Sequence, residues 1–179
     1  MSDAANQYGT ALYELAKEEN LTETILPQLK VLQDILEQEP RFAVLLSAPS
    51  VPKAERVQVL DNVLKDKVHP YLLNFMKILT EKGYMKHFGG CCRVFRSLYN
   101  ADAGILPVTA VTSVALSAEL QAKLKEKLSS VTGKTIDLSC KLDPSCLGGV
   151  RLDFDGKQVD GTIRRRLEDV RNILKNTVL

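Results

Sequence analysis

The 179-residue chain reads as α+β: an N-terminal six-helix antiparallel bundle over residues 1–104, then a small two-layer α/β domain, β-α-β-β-β-α, over residues 105–179. Three observations predict this. As far as Asp102, apolar residues recur at intervals of three and four between punctuating prolines. From Gly104, Val- and Thr-rich runs with period-two alternation replace that pattern. The stretch from Asp143 to Leu167 then reads in order as turn, strand, hairpin and helix start.

The first predicted helix, over residues 3–18, carries Tyr8, Ala11, Leu12, Leu15 and Ala16 on one stripe, with Ser2 or Asp3 available as its cap. Thr22 or Thr24 starts a second helix with Leu29, Leu32 and Leu36 inward. Pro27 belongs near its first turn, where a missing N–H does least harm. A short apolar helix, Arg41 to Ser47, fits between Pro40 and Pro49. Pro52 suits the first turn of a fourth helix, with Ala54, Val57, Leu60 and Leu64 inward. Pro70 opens a fifth, with Leu72, Phe75, Met76 and Leu79 inward and Gly83 as its left-handed stop. The sixth runs from about Met85 to Asp102 and buries Phe88, Cys92, Phe95 and Tyr99. Short links between consecutive helices favour antiparallel neighbours.

Residues Ile105 to Leu116 form a strand pattern with Pro107 at its start, which suits a strand end better than a central position. Ser117 caps a helix bearing Leu120, Leu124, Leu128 and Val131, and Gly133 ends it. Ile136, Leu138, Cys140 and Leu142 then alternate with polar residues, a half-buried strand with Cys140 in an apolar slot. Val150, Leu152 and Phe154 alternate with Arg151, Asp153 and Asp155. Asp155-Gly156 is a two-residue hairpin signal, and Lys157-Gln158-Val159 returns. Asp160 is placed to cap a last helix with Ile163, Leu167, Val170 and Leu174 on one face.

Composition excludes several function classes. Net charge is +2, and the excess sits after Gly104, with twelve basic residues against nine acidic. No apolar run exceeds about five residues, far short of the roughly 20 needed to cross a bilayer. With acidic residues near the N-terminus and neither a signal core nor an Arg-rich transit pattern, the expectation is a cytosolic or peripheral chain. Cys91-Cys92 are adjacent, and Cys140 and Cys146 stand six apart. Neither spacing matches a zinc or redox motif, so no metal or cofactor is expected and a thiol enzyme built on Cys91-Cys92 is disfavoured. His69 and His87 offer no evident nucleophile partner. Gly149 and Gly156-Lys157 lack phosphate-loop spacing.

Arg164, Arg165, Arg166 and Arg171 form the densest basic cluster, part-neutralised by Glu168 and Asp169. Consecutive helical residues lie about 100° apart, so the triplet covers an arc. It reads as a solvated face, as a site for an acidic protein partner, or as a nucleic-acid module; no aromatic residues are interleaved for base stacking. Tyr8 and Tyr13 on the first helix, with Phe75 and Ile78 on the fifth, read as core or boundary residues. They are also the kind of residues that line a groove accepting a helix from another protein.

One pattern is more specific. Asp143-Pro144-Ser145, then Gly148-Gly149, then Asp155-Gly156, Asp160-Gly161, Arg164 and Arg166-Leu167 at this spacing resemble the C-terminal signature of the delta subunits of bacterial rotary ATP synthases, relatives of the mitochondrial oligomycin-sensitivity-conferring protein. Tyr8, Ala11-Leu12-Tyr13 and Ala16 extend the resemblance to the N-terminus. Arg165 departs from it, standing where a small residue is common, which bears on surface charge alone. The resemblance implies a non-catalytic stator subunit, without cofactor, on the cytoplasmic face of the bacterial cell membrane and peripheral to it. It would tie the catalytic hexamer to the peripheral stalk of a proton- or sodium-translocating enzyme. It further implies that Tyr8, Ala11, Phe75 and Ile78 receive the N-terminal helix of an alpha subunit. The C-terminal domain would meet subunit b of the stalk, with Arg164 and Arg166 as the candidate contacts. Nucleic acid and a membrane span are not expected.

Overall fold

Helices fill the first hundred residues, and a mixed sheet with one crossover helix follows. The computed structural model describes residues 3–48, 50–146, 148–154, 156–163 and 165. Two compact units meet in sequence between Tyr99 and Asn100. The first contains α1 (Asp3–Glu18), α2 (Thr22–Gln38), α3 (Pro40–Ser47), α4 (Lys53–Leu64), α5 (Pro70–Lys82), a 3-10 turn (Met85–His87) and α6 (Phe88–Asp102).

The buried face of α1 is rotated from the one its large apolar residues suggest. Ala5, Gly9, Leu12, Tyr13 and Ala16 point inward, whereas Ala11 and Leu15 are exposed and Tyr8 is half-buried. The cause is a close crossing with α6. A Cβ on Gly9 would lie 2.8 Å from Val94 Cβ and 2.9 Å from the Cys91 carbonyl oxygen, and one on Gly90 would lie 2.8 Å from Ala5 Cβ. Weighting the sequence by hydrophobicity passes over glycines, yet here they set the helix rotation. At the crossing, Tyr13 meets Phe95 edge to face with centroids 5.3 Å apart. Phe95, Leu72, Met76, Leu79, Leu29 and Leu60 are all fully enclosed, and each stabilises the fold by about 2 kcal/mol.

The helix ends show how local chemistry sets the boundaries. Gly83 adopts φ 72°, and the N–H groups of Gly83 and Tyr84 close onto the Thr80 and Leu79 carbonyls, the left-handed cap expected there. Asn20, at φ 56°, ends α1 the same way, with Leu21 N–H donating to Ala16 O at 2.7 Å. The start of α2 departs from expectation. It is preceded by Leu21 with no side-chain cap, and Pro27 lies inside the helix beyond its first turn. In α4, Leu60 and Leu64 are buried but Ala54 is exposed; the unexpected interior residue is Arg56, 5% exposed. Its Nη1 donates to Leu46 O at 3.0 Å, placing a positive charge at the C-terminal end of α3, where the helix dipole favours it.

The second unit contains β1 (Ile105–Thr112), α7 (Ala118–Thr132), β2 (Thr135–Leu142), a 3-10 turn (Pro144–Cys146), β3 (Val150–Phe154) and β4 (Lys157–Asp160). Strand order is β2-β1-β3-β4, with β1 and β2 parallel and the other two pairings antiparallel. The parallel pair requires a crossover, which α7 supplies. Ser117 caps α7 by accepting from Leu120 N–H, and Gly133 ends it at φ 66°. The β1–β3 ladder stops at Thr109, so Pro107 sits where β1 has only β2 beside it. A missing N–H is tolerated at such a position.

Pairing places Val108, Ala110, Ile136, Leu138, Val150 and Leu152 on one face of the sheet. Burial along β2 fades towards its end. Ile136 is 1% exposed, Leu138 half-buried, Cys140 exposed and Leu142 64% exposed. The apolar slot read for Cys140 is therefore not an enclosed one: among the described residues β2 is the outermost strand, with a strand neighbour on one side only. Of the last predicted helix, Leu167, Val170 and Leu174 lie outside the described residues.

Candidate partner-binding surfaces

With its small residues turned inward, α1 leaves Tyr8, Ala11 and Leu15 on its outer side at i, i+3 and i+7. That spacing makes an apolar stripe on a solvent-facing helix surface. On α5, Leu72, Phe75, Met76 and Leu79 are buried and Ile78 is 44% exposed. Lys77 beside it pairs with Asp61 of α4 at 2.6 Å. Phe75, expected to line the groove, is 7% exposed and packs towards Phe88 at 6.4 Å between centroids. Its ring belongs to the core beneath the surface. Of the four expected residues, then, Ala11 and Ile78 are open to solvent, Tyr8 is partly so and Phe75 is enclosed.

Sequence reasoning missed Tyr84. It follows the left-handed Gly83, is 38% exposed, and lies 5.8 Å from the Tyr8 ring and 6.0 Å from that of His87. An apolar residue just after such a cap commonly folds back onto a neighbouring surface. The Gly-Tyr pair was the available signal.

The thiols of α6 are poorly suited to chemistry. Burial pushes Cys92 up to about 12, helped by the adjacent Cys91 thiol, and burial raises Cys91 as well. A thiol held protonated at neutral pH is a poor nucleophile. Among the described residues no group of three His, Cys, Asp or Glu side chains could hold a metal ion, and no helix is long and apolar enough to cross a membrane.

In the second unit, the Asp-Pro-Ser and glycine positions have local structural causes. Asp143 N–H donates to Thr112 O at 2.8 Å, while its own carboxylate accepts from Ser145 N–H at 2.9 Å. The turn is thereby pinned to the end of β1. Gly148 and Gly149 follow at φ 144° and 83°. A Cβ on Gly149 would stand 2.7 Å from Gly161 O and 2.9 Å from Thr162 Cα; one on Gly148 would meet Ile163 Cδ1 at 2.8 Å. Two backbone bonds, Gly161 N–H to Val150 O at 3.1 Å and Ile163 N–H to Gly148 O at 3.0 Å, close this glycine seam.

The helix start after the seam differs from the expected one. Thr162, 3% exposed, accepts from Arg165 N–H at 3.3 Å and is the cap. Asp160 stays in β4 opposite Arg151 and accepts from Thr162 N–H at 2.9 Å. That hydrogen bond holds the exposed Asp160 carboxyl below its ordinary value. Strand pairing has kept Asp160 extended and passed the capping role two residues on. Arg165 is exposed, and Arg164 and Arg166 lie outside the described residues.

Comparison with known proteins matches residues 4–174 to the sequence profile described as ATP synthase delta (OSCP) subunit. A protein named ATP synthase subunit delta from Alkaliphilus oremlandii is 29% identical over 175 residues, covering 98% of this chain and 97% of its own. One of the same name from Lacticaseibacillus casei is 29% identical over 171 residues, covering 95% and 94%. Among solved structures, a chain of the Toxoplasma gondii mitochondrial ATP synthase hexamer aligns with TM-score 0.74 at 19% identity, over 97% of this chain and 98% of its own. At that identity the likeness is one of fold.

Proposed function

Since the chain belongs to the ATP synthase delta (OSCP) subunit family, we propose that it is a non-catalytic stator subunit of an ion-translocating ATP synthase, holding the catalytic hexamer to the peripheral stalk against rotor torque. The observation that carries this reading is the near-complete family match, across residues 4–174 and through both compact units. A stator link must dissociate slowly under load, and apolar contact area serves that better than charges screened by salt. The outer side of the first unit offers such area in Tyr8, Ala11, Leu15, Ile78 and Tyr84.

The finer assignments follow from it. The N-terminal helix of an alpha subunit docks on the α1 and α5 surface, with Ala11 admitting it closely through its smallness. The second unit meets subunit b, and Arg164 and Arg166 steer that encounter. The assembly sits on the cytoplasmic face of the bacterial cell membrane. Calorimetry with an isolated alpha N-terminal peptide tests the first assignment. Ala11→Leu and Ile78→Asp should each weaken binding by more than about tenfold, or about 1.4 kcal/mol. Unchanged affinity in both, with native circular dichroism, places the site elsewhere. Reversing Arg164 or Arg166 should slow association with subunit b at low salt, and the effect should shrink as salt rises.

A further inference from the structure

The outer side of α1 carries a charge pattern that its own fold does not use. Beside the exposed row of Ala11 and Leu15 runs a second exposed row, Glu14 and Glu18, turned from it by about 60° because each is three residues further on. Both carboxylates belong to the last five residues of α1. Carbonyls without helical partners gather there, so the dipole favours a cation. The pair also stands at i and i+4, where like charges repel. Among the described residues neither carboxylate is ion-paired. Lys17, the basic residue of the last turn, lies about 200° round the helix from Leu15 and stands over the Tyr13 ring at 6.0 Å. An arrangement that costs a helix stability with no compensating contact marks a functional surface. Across the apolar stripe α5 supplies no opposing field. Lys77 is paired with Asp61, and Glu81 and Lys82, of opposite sign, line an open groove with Lys53 and Asp61 of α4. The charge beside Ala11 and Leu15 is therefore negative and comes from α1.

We propose that Glu14 and Glu18 recognise a basic flank on the helix that docks on the α1 and α5 surface. The partner is an amphipathic helix whose apolar stripe meets Tyr8, Ala11, Leu15 and Ile78, with Lys or Arg three or four residues apart along its solvent-side edge. The inference rests on the docking surface proposed above and adds a charge sign to it. Glu14 and Glu18 are about 6 Å apart along the helix axis, so a helix packed nearly in line with α1 presents two basic side chains at the same interval. Packed helix axes lie about 8–10 Å apart, and a Lys or Arg stem reaches across while its charged head stays in water. Exposed pairs of this kind contribute little to stability. They speed the encounter and reject a helix of the wrong sign. The two carboxylates thus strain the free chain and select which helix enters.

Stopped-flow association of the full chain with the N-terminal peptide of its own synthase's alpha subunit, at about 20 mM and about 500 mM salt, tests this. The wild-type rate should fall as salt rises. Glu14→Lys combined with Glu18→Lys should slow association at low salt by about tenfold and remove or invert the salt dependence, and the two proteins should converge at high salt. The melting temperature of that variant should equal or exceed the wild type's, because it relieves the repulsion and suits the helix end; a merely structural role would lower it. A peptide with its Lys and Arg residues changed to Glu should bind the variant faster than the wild type. Glu126→Lys, a charge reversal on α7, should leave the rate almost unchanged. If circular dichroism shows the double reversal unfolded, Glu14→Gln with Glu18→Gln decides, with a smaller loss of rate and of salt dependence. A wild-type rate indifferent to salt, or to these substitutions, overturns the inference, and if Ala11→Leu still weakens binding the docking surface itself stands. A peptide that the wild type does not bind overturns both.

Discussion

At the scale of single residues, Gly149 carries the clearest structural demand. Its φ of 83° and the 2.7 Å separation between a hypothetical Cβ and Gly161 O act together, and backbone cannot move aside as a side-chain tip can. Gly149→Val should lower the stability of the second unit by about 2 kcal/mol or more, read as a drop in its melting temperature. Gly156, also at positive φ but with nothing within 4 Å of a Cβ, should accept Asn at little cost. Asp160 gives a prediction in pH. Its folded pKa is depressed by the Thr162 N–H, so its stabilising contribution is complete above the ordinary aspartate value of about 3.9 and is lost as pH falls through the lower folded value. The melting-temperature difference between wild type and Asp160→Asn should accordingly narrow in acid. A difference constant from neutral pH down to the acid transition would show that the hydrogen bond is not linked to ionisation.

Among elements, the α1–α6 crossing turns two adjacent glycines into opposites. Gly90→Ala meets Ala5 Cβ at 2.8 Å and must spread the helices, whereas Gly89→Ala meets nothing within 4 Å. The first should destabilise by about 1–3 kcal/mol; the second should be neutral or stabilise by up to about 1 kcal/mol, because alanine loses less backbone entropy in a helix. Chemical denaturation of the two variants separates them, and equal signs would refute the close crossing. The same elements show what could be read from the chain alone. Gly83, Ser117, Gly133 and the turn at Gly156 were legible because each acts locally, through backbone conformation or one hydrogen bond. The rotation of α1, the interior place of Arg56 and the capping role of Thr162 were not. Each depends on packing or pairing against another element: Val94 and Cys91 of α6 for Gly9, Leu46 of α3 for Arg56, and β3 for Asp160. Helical spacing placed Tyr8 and Ala11 on one stripe of α1, whereas the grouping of Tyr8, Ala11, Phe75 and Ile78 as a candidate surface came from the family resemblance; the enclosure of Phe75 and the approach of Tyr84 to Tyr8 are tertiary facts.

On the scale of the whole chain, helical and sheet units succeed one another across the short stretch between Asp102 and Ile105. Limited proteolysis with a protease of broad specificity should release a folded helical fragment ending between Leu98 and Val108; cleavage spread evenly along the chain would contradict two independently folded units. The strand order has a mechanical consequence. β1 begins at the end of the sheet nearest that stretch, β3 runs back against it, and β4 runs forward again, so the chain leaves past Gly161 at the opposite end. A pull between the linker and the chain beyond Ile163 is therefore directed along the strands. It loads the β1–β3 and β3–β4 hydrogen bonds, which lie across that direction, in shear and simultaneously, where the reverse order would have peeled them open one rung at a time.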